Sequence, residues 1–166
     1  RRIMEYRKTW EGIKAYQKNS PQEVNVYEDG LTLLRRWYEE EEAKPNRAIA
    51  EMRRMCYAGI KGFANARDYN NAEKLRSIIY ELYKLEAKDS FDSFCLALEY
   101  DRPIEEQFYY PRREILKPYV DDLQKLADGE IDELFLSCPP RVGKTTLVMF
   151  FLLWMIGKDS EKSNLY

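Results

Sequence analysis

Before residue 90, apolar residues recur at helical spacing. Ile3, Tyr6, Trp10, Ile13 and Tyr16 form one stripe, and Ile49, Met52, Cys56, Ile60 and Phe63 form another. Positions three and four apart share a helix face, so each stripe predicts an amphipathic helix with its apolar side inward. Ser20-Pro21-Gln22-Glu23 has the order of a capping box with proline at the first helical position, which predicts a second helix beginning near Pro21. Asp29-Gly30 is a candidate break before Leu31 to Trp37 resume, and Lys44-Pro45-Asn46 marks the next turn. A fourth helix is expected over Asn71 to Leu85, with Leu75, Ile78, Ile79 and Leu82 inward. Trp10, Trp37, Met52 and Met55 read as core. The acidic run Glu39 to Glu42 falls at a helix end, where the dipole disfavours it; it reads as a solvated face, with a docking surface for a basic partner as the alternative.

After residue 90 the pattern changes. The run Leu134-Phe135-Leu136 predicts a short strand over Leu134 to Ser137, and Asn164 to Tyr166 reads as the start of a second. Between them, Leu147 to Ile156 is a stretch of 10 residues that is apolar on nearly every side, the signature of a helix buried within a larger body. The expected organisation is a mostly helical region over residues 1–89, followed by the beginning of an α/β domain over residues 90–166. Two short strands cannot make a parallel sheet, because parallel strands need long crossovers between them. The chain is therefore read as a piece of a longer protein, predominantly helical in itself, whose Leu147 to Ile156 helix is exposed or shielded by association.

The segment joining strand to helix carries the chemistry. Cys138-Pro139-Pro140-Arg141-Val142-Gly143-Lys144-Thr145-Thr146 has the order of a phosphate-binding loop, in which backbone amides at the start of a helix converge on an anion. Glycine at 143 admits a backbone angle that other residues resist and lets a phosphate approach the main chain. Lys144 supplies a mobile ammonium to the β and γ phosphates, and the Thr145 hydroxyl is placed to ligand Mg²⁺. Cys138 stands where the motif usually has its first glycine, while Pro139 and Pro140 restrict the backbone entering the turn. Arg141 is close enough to the γ-phosphate position to act as an arginine finger in cis, the alternative being a solvent-facing charge. ATP and Mg²⁺ are the expected cofactors, Lys144 and Arg141 the expected catalytic groups.

The sequence Pro139-Pro140-Arg141-Val142-Gly143-Lys144-Thr145, with Asp128-Gly129-Glu130-Ile131 leading in, resembles the large terminase subunit of tailed bacteriophages. So do Ser90-Phe91-Asp92-Ser93-Phe94-Cys95, Phe108-Tyr109-Tyr110-Pro111-Arg112-Arg113 and Trp154-Met155-Ile156-Gly157, so that the likeness spans residues 90–166. The resemblance implies a P-loop NTPase core of the ASCE type within a DNA-packaging motor that also carries a metal-dependent nuclease. It implies double-stranded viral DNA, the portal protein, the small terminase subunit and further copies of the chain as partners, and the host cytoplasm as setting. The Walker B acids, the water-activating glutamate and the nuclease carboxylates are then expected beyond Tyr166. By the same analogy Gln107, Phe108, Tyr109, Tyr110 and Arg112 lie near the adenine, with Tyr110 and Arg112 foremost; otherwise these aromatics are core. Two other readings stay open: a different P-loop DNA-dependent or helicase-like ATPase, and a non-catalytic helical interaction module with an idle loop.

Composition adds exclusions. Among 166 residues the net charge is -2, with 18 Lys and Arg against 15 Asp and Glu before residue 90 and 9 against 14 after it. Neither half concentrates the positive charge that tight binding to nucleic acid requires, so a DNA contact rests on the resemblance alone. Cys56, Cys95 and Cys138 are scattered and the chain has no histidine, which supports neither a disulfide framework nor a zinc site. The longest apolar stretch is well short of the roughly 20 residues that span a bilayer.

Overall fold

The computed structural model describes residues 2–137 and 143–163, with side chains described as far as Asp159. The expected second strand, Asn164 to Tyr166, and the loop residues Cys138, Pro139, Pro140, Arg141 and Val142 lie outside the described residues. The chain forms two compact units, Arg1–Leu85 and Glu86–Tyr166. The described residues are predominantly helical and contain no strand.

The first unit is built from α1 (Arg2–Asn19), α2 (Val24–Glu40), α3 (Asn46–Asn65) and α4 (Tyr69–Glu86), whose last residue belongs to the second unit. Trp10 from α1, Tyr27 and Leu34 from α2, Ile49, Met52 and Cys56 from α3, and Leu75, Ile79 and Leu82 from α4 are buried together as its core. The second stripe and that of the fourth helix are largely buried as the spacing predicts, whereas of the first only Trp10 is buried, Ile3, Tyr6 and Ile13 being half-buried and Tyr16 exposed.

Two sequence expectations are corrected here. The second helix begins at Val24, not near Pro21. The Ser20 amide still closes the last turn of α1 on the Tyr16 carbonyl at 2.9 Å, and the Glu23 carboxylate accepts from the Tyr16 hydroxyl at 2.8 Å instead of turning back to Ser20. No reciprocal capping box can then form. Nor does Asp29-Gly30 break α2. Gly30 is buried because a Cβ there would stand 3.0 Å from Met52 Sδ and 3.5 Å from the Trp10 ring, so it permits α1 and α3 to close on α2. The acidic end of α2 is compensated: Glu40 accepts from the Tyr6 hydroxyl and lies 4.0 Å from Arg2 and 3.8 Å from Arg36.

The second unit holds α5 (Phe91–Glu99), two short 3-10 turns at Ile104–Glu106 and Tyr110–Arg112, α6 (Arg113–Ala127) and α7 (Lys144–Ser163). Ser90 caps α5, its hydroxyl accepting from the Ser93 amide at 3.2 Å. Phe91, Leu116, Val120, Leu147, Phe150, Phe151 and Trp154 form a single apolar cluster with Cys95 and Tyr109. Within it Phe91 meets Phe151 edge-on and Trp154 face-on, both at 5.3 Å between ring centres.

The strand expected at Leu134 to Ser137 is not formed; residues 131–137 belong to neither helix nor sheet. Burial nonetheless alternates, with Leu134 and Leu136 against the apolar cluster and Phe135 90% exposed. That is the period of an extended segment. A strand also needs a neighbour to take up its amides and carbonyls, and the described residues offer none.

The α7 helix is apolar on two faces. Leu147, Phe150, Phe151 and Trp154 are buried, whereas Met149, Leu152, Leu153 and Ile156 are each more than half exposed, as the sequence leads one to expect of this helix. None of the described helices is long and apolar enough to cross a membrane.

Candidate phosphate-binding site

Gly143 has φ +94°, in the region that residues with a Cβ rarely enter. Its carbonyl accepts the first bond of α7, from the Leu147 amide at 3.0 Å, so the positive φ is the last backbone step before the helix begins at Lys144. Thr145 is exposed and Thr146 half-buried in the first turn of this helix of 20 residues. Amides of a first helical turn have no intrahelical acceptor and carry the positive end of the dipole. The Lys144 ammonium donates to the Leu136 carbonyl at 2.6 Å, which ties the end of the 131–137 segment to the start of α7.

The aromatic segment expected near the adenine does meet this turn, through Phe108. A Cβ on Gly143 would stand 2.1 Å from one ring carbon of Phe108 and 2.5 Å from another, so the ring rests directly on the glycine backbone. Phe108 also packs edge-on against Phe150 at 5.6 Å. Arg112 lies over the Phe108 ring at 5.3 Å and donates to the Phe108 carbonyl at 2.9 Å. Tyr110 is 60% exposed and available to a ligand, whereas Tyr109 is fully buried. Gln107 is engaged with the Arg102 carbonyl at 2.8 Å.

Two carboxylates that the sequence reading passed over fix this segment. Glu99, 1% exposed, accepts from the Phe108 amide through one oxygen and from the Tyr109 amide through the other, both at 2.8 Å. Asp92 accepts from the Tyr109 hydroxyl at 2.5 Å and from Arg113 Nε and Nη2 at 2.9 and 2.8 Å. Burial alone would raise the Asp92 pKa, but the hydrogen bonds from Arg113 and Tyr109 outweigh it and hold the carboxyl below its ordinary value. Burial, reinforced by Asp92, pushes the Tyr109 phenol up, so it stays a donor. A signal for both acids was present: in Phe91-Asp92-Ser93-Phe94-Cys95-Leu96-Ala97-Leu98-Glu99 they stand seven residues apart, on one face of an otherwise apolar helix.

Among the described residues no group of three His, Cys, Asp or Glu side chains could hold a metal ion. Thr145 is the described residue expected to ligand one. Cys56 and Cys95 are free and buried, with the Cys56 thiol pushed up to about 12 by desolvation. The chain matches no family model, no curated protein and no solved structure.

Proposed function

We propose that the chain binds MgATP at the loop of residues 138–146, and that it does so as the N-terminal part of a terminase large subunit, an ATP-hydrolysing motor that packages viral DNA. The observation that carries the nucleotide reading is the backbone step at Gly143. A φ of +94° leads immediately into a long helix whose first residue is a lysine, with that lysine folded over the chain end that enters the loop. The described residues fit a triphosphate: a helix start entered through a positive-φ glycine, an ammonium on a four-carbon stem, and an exposed hydroxyl-bearing residue one position later. ATP would supply the phosphoryl group, and Mg²⁺ would offset its charge.

In this reading the Lys144 ammonium exchanges the Leu136 carbonyl for phosphate oxygens. The exposed Thr145 hydroxyl would serve as a ligand to Mg²⁺. Gly143 gives its amide to the phosphate, and the Phe108 ring, packed where a Cβ would stand, holds the turn in place. Tyr110 and Arg112 bound the base, and Arg141 stabilises charge during transfer. The motor role, the nuclease, DNA, portal protein, small subunit, homo-oligomer and host cytoplasm follow from the terminase resemblance and stand or fall with it.

Calorimetric titration with ATP tests the binding step. The expected result is saturable binding that weakens by about 10- to 100-fold in Lys144→Ala, the scale of losing charge-assisted bonds to phosphate. Thr145→Ala should remove the dependence of affinity on Mg²⁺. Equal affinity in Lys144→Ala and the parent chain would overturn the reading.

A further inference from the structure

Glu99, the last residue of α5, is a carboxylate only 1% exposed, in a setting that acids enter only when something takes up their charge. Arg102 faces it at 4.0 Å, but its two oxygens go to the Phe108 and Tyr109 amides, each at 2.8 Å. The backbone is extended at Gln107 and helical at Tyr109, and both amides precede the first bond of the turn that follows, from the Arg112 amide to the Tyr109 carbonyl at 3.0 Å. A bend of this kind leaves its donors without the carbonyls that a helix interior supplies. Because both oxygens of one carboxylate share a plane, the two bonds set the orientation of the bend as well as its position.

What the bend carries is Phe108. Its amide is held by Glu99 and its carbonyl by Arg112 at 2.9 Å, so the ring leaves a backbone that is fixed on both sides. That ring rests edge-on against Phe150 at 5.6 Å and directly on Gly143, two of its carbons standing 2.1 and 2.5 Å from the place of a Cβ.

Gly143 needs such a support. A glycine enters left- and right-handed backbone about equally, so its own preference does not hold φ at +94°. The start of α7 restricts it from one end, through the bond from the Leu147 amide to its carbonyl at 3.0 Å, and the Phe108 ring restricts it at the Cα. The affinity of a turn for its ligand is reduced by the fraction of time that the turn spends outside the binding conformation. Whatever holds Gly143 therefore sets affinity without touching the ligand.

We propose that Glu99 is a positioning residue for the phosphate-binding turn, holding Gly143 through the Phe108 backbone and ring in the conformation that admits a triphosphate. This role, which rests on the nucleotide reading of residues 138–146, needs no contact between Glu99 and ligand and concerns the phosphates, not the base.

Val142-Gly143 is the one Val-Gly pair in the chain, so the full chain labelled with ¹³C-carbonyl valine and ¹⁵N-glycine gives a single carbonyl-filtered amide signal, that of Gly143. The parent chain is compared with Glu99→Gln, Phe108→Leu and the double variant. A carboxamide offers one acceptor to two donors, so one amide is left facing an NH₂ group. Without ligand, the Gly143 signal should move in Glu99→Gln toward the position it takes in Phe108→Leu. Calorimetric affinities for MgATP and for magnesium tripolyphosphate, which has no base, should both fall by about fivefold in each single variant, and by no more than that in the double variant, since the two residues act along one path. Glu99→Asp, which draws the carboxylate back by one carbon, carries the same expectation and replaces Glu99→Gln if that variant does not fold. A Gly143 signal unmoved by the Glu99 substitution overturns the proposal. So do unchanged affinities, losses that add in the double variant, and a loss confined to MgATP, which would assign Glu99 to the base side alone. In each of these cases the parent chain still binds tripolyphosphate. A parent chain that binds neither ligand instead overturns the nucleotide reading, and this role with it.

Discussion

Gly143 is constrained twice, by a φ of +94° and by the Phe108 ring lying 2.1 Å from where a Cβ would stand. Gly143→Ala should therefore lower stability by about 2 kcal/mol or more and abolish ATP binding. Adding Phe108→Ala removes the clash but not the dihedral cost, so urea denaturation should recover only part of the loss. Glu99 sets a second residue-scale expectation. Its two oxygens are the acceptors of two adjacent amides in a nearly dry site, so Glu99→Ala should cost about 3 kcal/mol, and Glu99→Gln, which keeps one acceptor, less. The same denaturation curves would show this order, and a neutral Glu99→Ala would contradict it.

At the scale of elements, α5 and α6 are joined by the Asp92–Arg113 pair at 2.8 Å. The folded pKa of Asp92 lies below its ordinary value of 3.8, so its contribution is whole above about pH 4 and is lost as the pH falls through the lower folded value. Asp92→Asn should cost about 2 kcal/mol at neutral pH and flatten the acid limb of the stability curve. An unchanged acid limb would mean the pair contributes nothing. Helix periodicity was legible before the fold because positions such as Leu75, Ile78, Ile79 and Leu82 must share a face wherever that face points. Helix ends were less so: the fate of Ser20 and Glu23 depends on the Tyr16 hydroxyl, a competitor that no local motif announces. Gly30 likewise reads as a break in one dimension and as a contact in three, because Met52 and Trp10 come from other helices. The loop motif gave Gly143 and Lys144 directly, whereas the spacing of Asp92 and Glu99 on an apolar helix marked them without giving their partners. Their role is fixed by amides and a guanidinium 9 to 21 residues away.

For the molecule as a whole, the outward face of α7 sets an expectation about association. Met149, Leu152, Leu153 and Ile156 recur at helical spacing and lie exposed beside a cluster that is otherwise well filled. Contiguous exposed apolar surface of this kind drives association. The double substitution Leu152→Lys, Leu153→Lys should shift the chain toward monomer in light scattering at a given concentration, with little change in helicity. Persistence of the same oligomers would place the contact elsewhere. The central claim is that nucleotide sits where Gly143 opens into α7. Amide hydrogen exchange, compared with and without MgATP, locates that contact directly. Protection should be confined to the loop, Gly143 to Leu147 and the Phe108 to Arg112 segment, and should vanish in Lys144→Ala. Exchange in those segments that is indifferent to MgATP, or protection that survives Lys144→Ala, would contradict the account.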